Sequence, residues 1–478
     1  MGCKDKKNIL INKVIHRAMR AYIANFLFIP YIRILMKARQ ITTLLAALAL
    51  TLTSAAQPAG QKSWNEDWYF TKNGVTRKVN LPHDAGTDAG KALYSKVLHL
   101  TQKELQKDLQ LEVDGAQQGA TVLVNGQEAG SCQDPYASWA IDLNPYVGTG
   151  DNVIEIECGG LYRNVWLTAT EKTAVAHWGS SITSSIKGND ASVRMALLIK
   201  TDQLQVATIS TRILYKEYQP GKIIEHVVAE SRNIERVYDG REVVQTFELL
   251  DARLWSPEHP HMYLARTVVE SADGNRDSYE TSFGIPSQEE WKLQGAVLPA
   301  QSGPFGQAWN QEYWECRLSL LKQAGINAIS CGEHLPAPEL LTLCDRLGLV
   351  MVDVQALSLP RDAQHPSVRF SPTRGFRPLA DVLDEDGLPT GRELKSTPAF
   401  KLNAAVAYNG KTLSLVQAQA QDRSGASVSA PVPVFDVKGS AVILRSGKAS
   451  ALISRTGPGP VSVSVKARGL RAVNLDIQ

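Results

Sequence analysis

The sequence predicts a multidomain, mainly β protein with one parallel α/β segment inside it, and three observations carry that reading. Residues 61–285 and 401–478 alternate apolar and polar side chains and break at turns, as in L-Q-L-E-V-D-G and A-T-V-L-V-N-G-Q-E-A-G. Leu293–Ser358 instead holds three short apolar runs separated by two stretches of helical period, a βαβαβ pattern. The length of 478 residues suits roughly three to four domains, each burying its own core.

The chain opens on a basic segment. Residues 1–39 hold nine Lys/Arg and one acid, Asp5, so the formal charge of +3 leaves the remainder net negative. No basic surface for nucleic acid is expected. From Met36 the text has a short basic start (Lys37, Arg39), an apolar run over Ile41–Thr53 and a small-residue site at Ser54-Ala55-Ala56. That is the form of a signal peptide, too short to be a comfortable membrane span. The expectation is a spurious extension over 1–35, a signal peptide over 36–56, and an exported protein (periplasmic or extracellular) that is not integral to the membrane after cleavage. The alternative is a mitochondrial-type or membrane-anchoring helix over residues 8–35. Five cysteines follow, an odd number with no C-x-x-C pair, so a zinc site is not supported; no other metal and no cofactor is assigned. A Cys132–Cys158 bridge is compatible with the sequence, whereas Cys316, Cys331 and Cys344 read as small core residues.

Residues 61–173 read as a sandwich or jelly roll of short strands. Trp68-Tyr69-Phe70, the V-N-L-P-H-D of Val79–Asp84, the Val124-Asn125-Gly126 turn and the G-L-Y-R-N-V-W-L of Gly160–Leu167 occur in one order. Together they resemble the sugar-binding domain of glycoside hydrolase family 2, the β-galactosidase/β-glucuronidase/β-mannosidase family. On that resemblance Trp68, Tyr136, Trp139 and Trp166 are expected to be core rather than sugar platforms. Residues 174–285 continue as strands, and Leu254-Trp255-Ser256-Pro257 with Ser282-Phe283-Gly284-Ile285 are similar to the family's immunoglobulin-like second domain. His259 and His261, flanking Pro260, read as solvated loop histidines.

Residues 286–360 resemble the opening of the family's (β/α)8 barrel. The spacing predicts strands at Ala296–Leu298, Asn327–Cys331 and Leu349–Val354. Trp314, Leu318 and Leu321 predict a helix closed by Gly325; Leu340, Cys344 and Leu347 predict a second, closed by Gly348. Residues 361–400, rich in Pro, Arg and Asp, read as a linker. Strands return over 401–478, similar to a C-terminal immunoglobulin-like domain.

A retaining glycosidase needs two carboxylates roughly 5–5.5 Å apart, and a whole barrel takes about 250 residues. The resemblance places the family's acid/base in an Asn-Glu pair after strand four and its nucleophile after strand seven. After residue 286 this chain has no Asn-Glu pair, and its only one is Asn65-Glu66. No catalytic residue is therefore assigned, and the sugar-binding residues are left unknown. The strand ends also depart from the family's pattern. Val297, Pro299, Ala300 and Gln301 stand in the strand-one motif. Ser330, Glu333 and His334 replace an arginine, a histidine and an asparagine after strand two. Asp353 is followed by Val354 instead of a glutamate. Glu333 and Asp353, with His334 beside them, form the one substitute pair worth weighing. Glu339 and Asp345 read as early-turn and surface charge on the second helix.

Three functions follow as expectations. One is a family homologue without its carboxylates, acting as an exported, carbohydrate-associated or interaction module. Another is a glycosidase working through an altered site or one completed by a partner chain. The third is an inactive remnant. A partial barrel exposes a sheet edge and apolar helix faces, which other domains or a partner chain must cover.

Overall fold

A computed structural model of the chain describes residues 56–58, 60–86, 90–219, 222–299, 303–332, 334–352, 365–369 and 375–477. Both segments expected ahead of the domains, 1–35 and 36–56 (apart from Ala56), lie outside the described residues, as do Ala300, Gln301, Glu333, Asp353 and Val354. Thr53–Lys216 with Glu225–Gln478 form one compact unit, and Glu217–Ile224 belong to a second.

The jelly-roll domain is two antiparallel sheets. Six strands in the spatial order 75–79, 68–72, 92–100, 150–160, 117–124, 127–132 face four in the order 61–63, 165–170, 108–113, 139–142. The two-residue alternation puts Trp68, Tyr94, Leu111, Ile154 and Ile156 into one core. The second domain packs the sheet 174–187, 190–200, 241–249 against strands that include 205–219, 263–271 and 276–283. Ala56–Pro58 adds to the edge of that second sheet, opposite Tyr279–Thr281. Its core is built on Val193, Ile209, Phe247 and Phe283.

The α/β segment contains β1 (Gly295–Val297), α1 (Gln311–Gln323), β2 (Ala328–Ser330), α2 (Pro338–Leu347), β3 (Val350–Val352), β4 (Val368–Arg369), β5 (Arg377–Pro378) and α3 (Leu379–Val382). Both long helices form where the periodicity placed them. Asn310 caps α1 by accepting from the Tyr313 N–H at 2.9 Å, and Gly348 ends α2 at φ +68°.

The stretch 361–400, expected to be a linker, is partly ordered into the sheet. β4 and β5 are parallel to the rest, giving the order β4-β3-β2-β1-β5. β5 takes the outer edge of β1, where the last strand of a closed barrel would lie. The result is an open half barrel. These strands were invisible to pattern reading because two residues carry no period.

Each face of the half barrel is covered. Ala296, Ile329 and Met351 point to α1 and α2. Ala328, Val350 and Val352 point the other way, into Trp255 from the second domain, with Trp291 and Phe376 packed around it. A Cβ on Gly295 would sit 2.2 Å from the Phe376 ring, so the ring occupies a side chain's place on that inner face. Outside, the C-terminal sandwich (401–409, 413–421, 450–455, 441–446 over 434–438, 461–466, 473–477) docks on α1. Its Leu413, Leu415 and Leu452 share one buried cluster with Leu318, Leu320 and Leu321.

Candidate functional site

In a parallel sheet of this kind chemistry belongs at the C-terminal strand ends. After β1 come Leu298 and Pro299, and after β2 come Cys331, Gly332, His334 and Leu335. Ser330 is buried, and its Oγ accepts from the Gly332 N–H at 3.0 Å, so it holds the turn together. The His334 ring lies 4.5 Å from that of Tyr136, tilted by 31°.

Arg163, from the G-L-Y-R-N-V-W-L motif, closes this end of the sheet. Its Nη2 donates to the Leu335 carbonyl at 2.7 Å, and its Nη1 to the carbonyls of Tyr136 (2.8 Å) and Asp114 (3.3 Å). The guanidinium also lies over the rings of Tyr136 and Tyr162. Tyr162 Oη donates to the Pro135 carbonyl at 2.8 Å, and burial pushes its phenol up to about 12.

Among the described residues a cleft of about 70 Å³ remains there, bordered by Tyr136, Arg163, Trp309, Trp314, Cys331 and His334. Small-molecule sites usually enclose roughly 300–1,000 Å³. Among the described residues no carboxylate lines the cleft. Glu333 and Asp353, the one substitute pair weighed from the sequence, lie outside the described residues.

Glu339 and Asp345 are not surface charges; both are buried. Helix α2 is enclosed at each end by another domain, so its charged positions face protein. Glu339 accepts from Asn164 Nδ2 of the jelly roll, beside Asp114, whose carboxylate takes Trp166 Nε1 at 2.7 Å and Ser138 Oγ at 3.1 Å. Burial pushes both carboxyls up, and the charges of Glu339 and Glu112 raise Asp114 further. Both side chains are buried, so the pair has no open face for a substrate. Asp345 accepts from His365 Nδ1 (2.5 Å), Ser367 Oγ (2.5 Å) and the Ser367 N–H (3.1 Å), pinning the entry to β4. The sequence carried a signal for this that spacing did not use. Leu340, Leu341, Leu343, Cys344 and Leu347 cover more than one face of α2, and a helix apolar on several sides is buried.

The four aromatic residues divide. Trp68 is fully buried core, Trp139 packs against that core, and Trp166 sits in the polar junction with Asp114. Tyr136 alone walls the cleft. Neither its role nor that of Arg163 was legible from spacing, because the partners, His334 and Leu335, come from the distant α/β segment. His259 and His261 stack on each other at 6.2 Å, and His261 lies against Tyr215. None of the five described cysteines is in a disulfide. Cys132 and Cys158 both register with Ala120 from opposite flanking strands, roughly 10 Å apart at the usual strand spacing, beyond the reach of a disulfide. Burial pushes the Cys316 thiol up to about 12 and that of Cys344 well above its ordinary range, as expected of core residues. No group of three or more His, Cys, Asp or Glu among the described residues is arranged to hold a metal ion. No helix among them is long and apolar enough to cross a membrane.

Comparison with known proteins matches this architecture. The family model described as "Glycosyl hydrolases family 2, sugar binding domain" matches residues 59–170, and that of "Glycosyl hydrolases family 2" matches residues 179–285. A beta-galactosidase of Bacteroides ovatus is 28% identical over 400 residues, covering 71% of this chain and 46% of that protein. A beta-glucuronidase of Bacteroides fragilis is 23% identical over 345 residues, covering 60% of this chain and 48% of that protein. The chain thus spans less than half the length of either relative. A solved glycosyl hydrolase family 2 member from Bacteroides cellulosilyticus shares the fold with a TM-score of 0.71 at 15% identity, over 88% of this chain and 100% of that one. In sequence, residues 59–170 and 179–285 are thus a sugar-binding domain and a second domain of the glycosyl hydrolase family 2 type, and the fold is shared with a solved member of that family.

Proposed function

We propose that this family 2 homologue is an exported, carbohydrate-associated module that does not hydrolyse glycosides. The observation that carries the reading is the occupied strand end. Tyr136, Arg163 and His334 leave a cleft of about 70 Å³ where a β-galactosidase or β-glucuronidase would seat a sugar. A glycosidase must also surround its substrate with groups that exclude water and bind hydroxyls. Here the inner face of the half barrel is filled by Trp255, Trp291 and Phe376 instead.

The test is release of p-nitrophenol from p-nitrophenyl β-galactoside, β-glucuronide and β-mannoside, with none expected above the buffer rate. Turnover that disappears in Glu333→Gln would establish the second reading, a retaining glycosidase using Glu333 and Asp353. For export, the expected mature N-terminus is near Gln57; secreted material beginning well before it would overturn that part.

A further inference from the structure

Among the described residues, a cavity larger than the cleft lies away from the strand ends. It has a volume of about 460 Å³, between the Asp384–Leu394 segment and the C-terminal sandwich, and falls within the usual range of small-molecule sites. Asp384, Glu385 and Asp386 line it against Arg392 and Lys448, and each of the three carboxylates has donors of its own. Glu385 is paired with Arg445 at 2.8 Å. Asp386 accepts from the Ala449 N–H and Ser450 Oγ, each at 3.0 Å. Asp384 accepts from the Leu388 N–H at 2.9 Å and from Arg392 Nη2 at 3.1 Å. Every carboxylate on the wall is therefore satisfied. Lys448, also on the wall, has no ion-pair or hydrogen-bond partner among the described residues, and Arg392 Nη1 has none either.

Further donors converge on the same space. Ser429 and Ser446 have unengaged hydroxyls, and Gln419 uses its Oε1 for Ser427 while its amide N–H groups remain available. Leu394 and Val432, 43% and 50% exposed, supply an apolar wall against which the C–H face of a ring can rest. The turn carrying Ser446 and Lys448 is held in place by Gly447, where a Cβ would fall 1.7 Å from Asp386 Oδ1.

We infer that this cavity binds a small, hydroxyl-rich molecule bearing one negative charge, with Lys448 as its counter-ion. The satisfied carboxylates beside it disfavour a dianion. The charge can come from a sugar carboxylate or from a sulfate ester, and the experiment separates the two. The inference rests on the carbohydrate-associated reading only for its choice of probes. It does not involve the strand-end cleft.

The test is calorimetric titration of the full chain with D-glucuronate, D-glucose 6-sulfate and D-glucose, repeated on Lys448→Met and on the cavity-filling Ser446→Trp, each checked by circular dichroism for an unchanged melt. One or both anionic probes should bind about tenfold or more tightly than glucose. Lys448→Met should remove that advantage while leaving glucose unaffected, and Ser446→Trp should abolish binding of all three. Equal affinity for glucose and the anions overturns the inference, as does binding of neither anion or indifference to Lys448→Met. Binding that survives both variants but is lost in Tyr136→Ala places the ligand at the strand ends and overturns it too. Hydrolysis, read separately by p-nitrophenol release, can succeed or fail without changing any of these outcomes.

Discussion

At the scale of single residues, the informative positions are two acids, the half-buried Asp277 and the buried Asp345. Asp277 accepts from the Glu171 N–H at 2.9 Å where the jelly roll meets the second domain, and burial pushes its carboxyl up to about 6 from an ordinary 3.8. A carboxyl raised in the fold binds its proton more tightly folded than unfolded. Its contribution to stability therefore grows as pH falls from about 6 to 3.8 and is absent above. Asp277→Asn, which keeps an acceptor for Glu171, should raise stability at pH 7.5 by about 1–2 kcal/mol and flatten the melting temperature between pH 6 and 4. Thermal melts across that range check both. Asp345 is the opposite case, since its neighbours depend on it. Asp345→Ala leaves a buried His365 and the Ser367 N–H without an acceptor, and should cost about 3 kcal/mol by urea denaturation, with Asp345→Asn recovering part.

At the scale of elements, helix α1 is a docking bar. Glu312 in its first turn accepts from the N–H groups of Lys411 (3.0 Å), Thr412 (2.8 Å) and Leu413 (2.7 Å) and from Thr412 Oγ1 (3.0 Å). One carboxylate thus satisfies a whole turn of the C-terminal sandwich. Glu312→Ala should loosen that turn, detectable as faster amide exchange at 411–413 and a loss of about 1–2 kcal/mol in urea. At the far end of α1, Lys322 Nζ donates to the carbonyls of Pro257 (2.7 Å), Leu347 and Gly348 (3.3 Å), tying α1 to the end of α2 and to the second domain. Burial lowers this ammonium to about 8.

At the scale of the whole molecule, an open sheet of five short parallel strands persists because its neighbours cover it. Trp255 seals the inner face and donates from Nε1 to the Asp345 carbonyl at 2.8 Å, while Leu413, Leu415 and Leu452 complete the outer helix layer. The C-terminal sandwich is therefore part of the half barrel's core. Removing residues 400–478 should abolish the cooperative melt of the α/β segment and send the shortened chain into the insoluble fraction, measured by calorimetry and centrifugation. A soluble truncation with an unchanged transition would show that the helix layer needs no such cover.

The alternation of side chains by itself determined the β sandwiches, and the capped 3.6-residue period determined α1 and α2, because those patterns are local and strong. The family was legible for the same reason: its motifs lie in turns and strands whose chemistry is set within a few residues. β4 and β5 were not legible, because two-residue strands are defined only by their partners in the sheet. Nor were the burial of Glu339 and Asp345, the closure of the strand end by Arg163, or the cavity beside Lys448. Each depends on residues from different domains being brought together, and no sequence spacing encodes that. Only the tertiary structure decided that this half barrel is filled on its inner face and that the roomier cavity lies in the C-terminal seam.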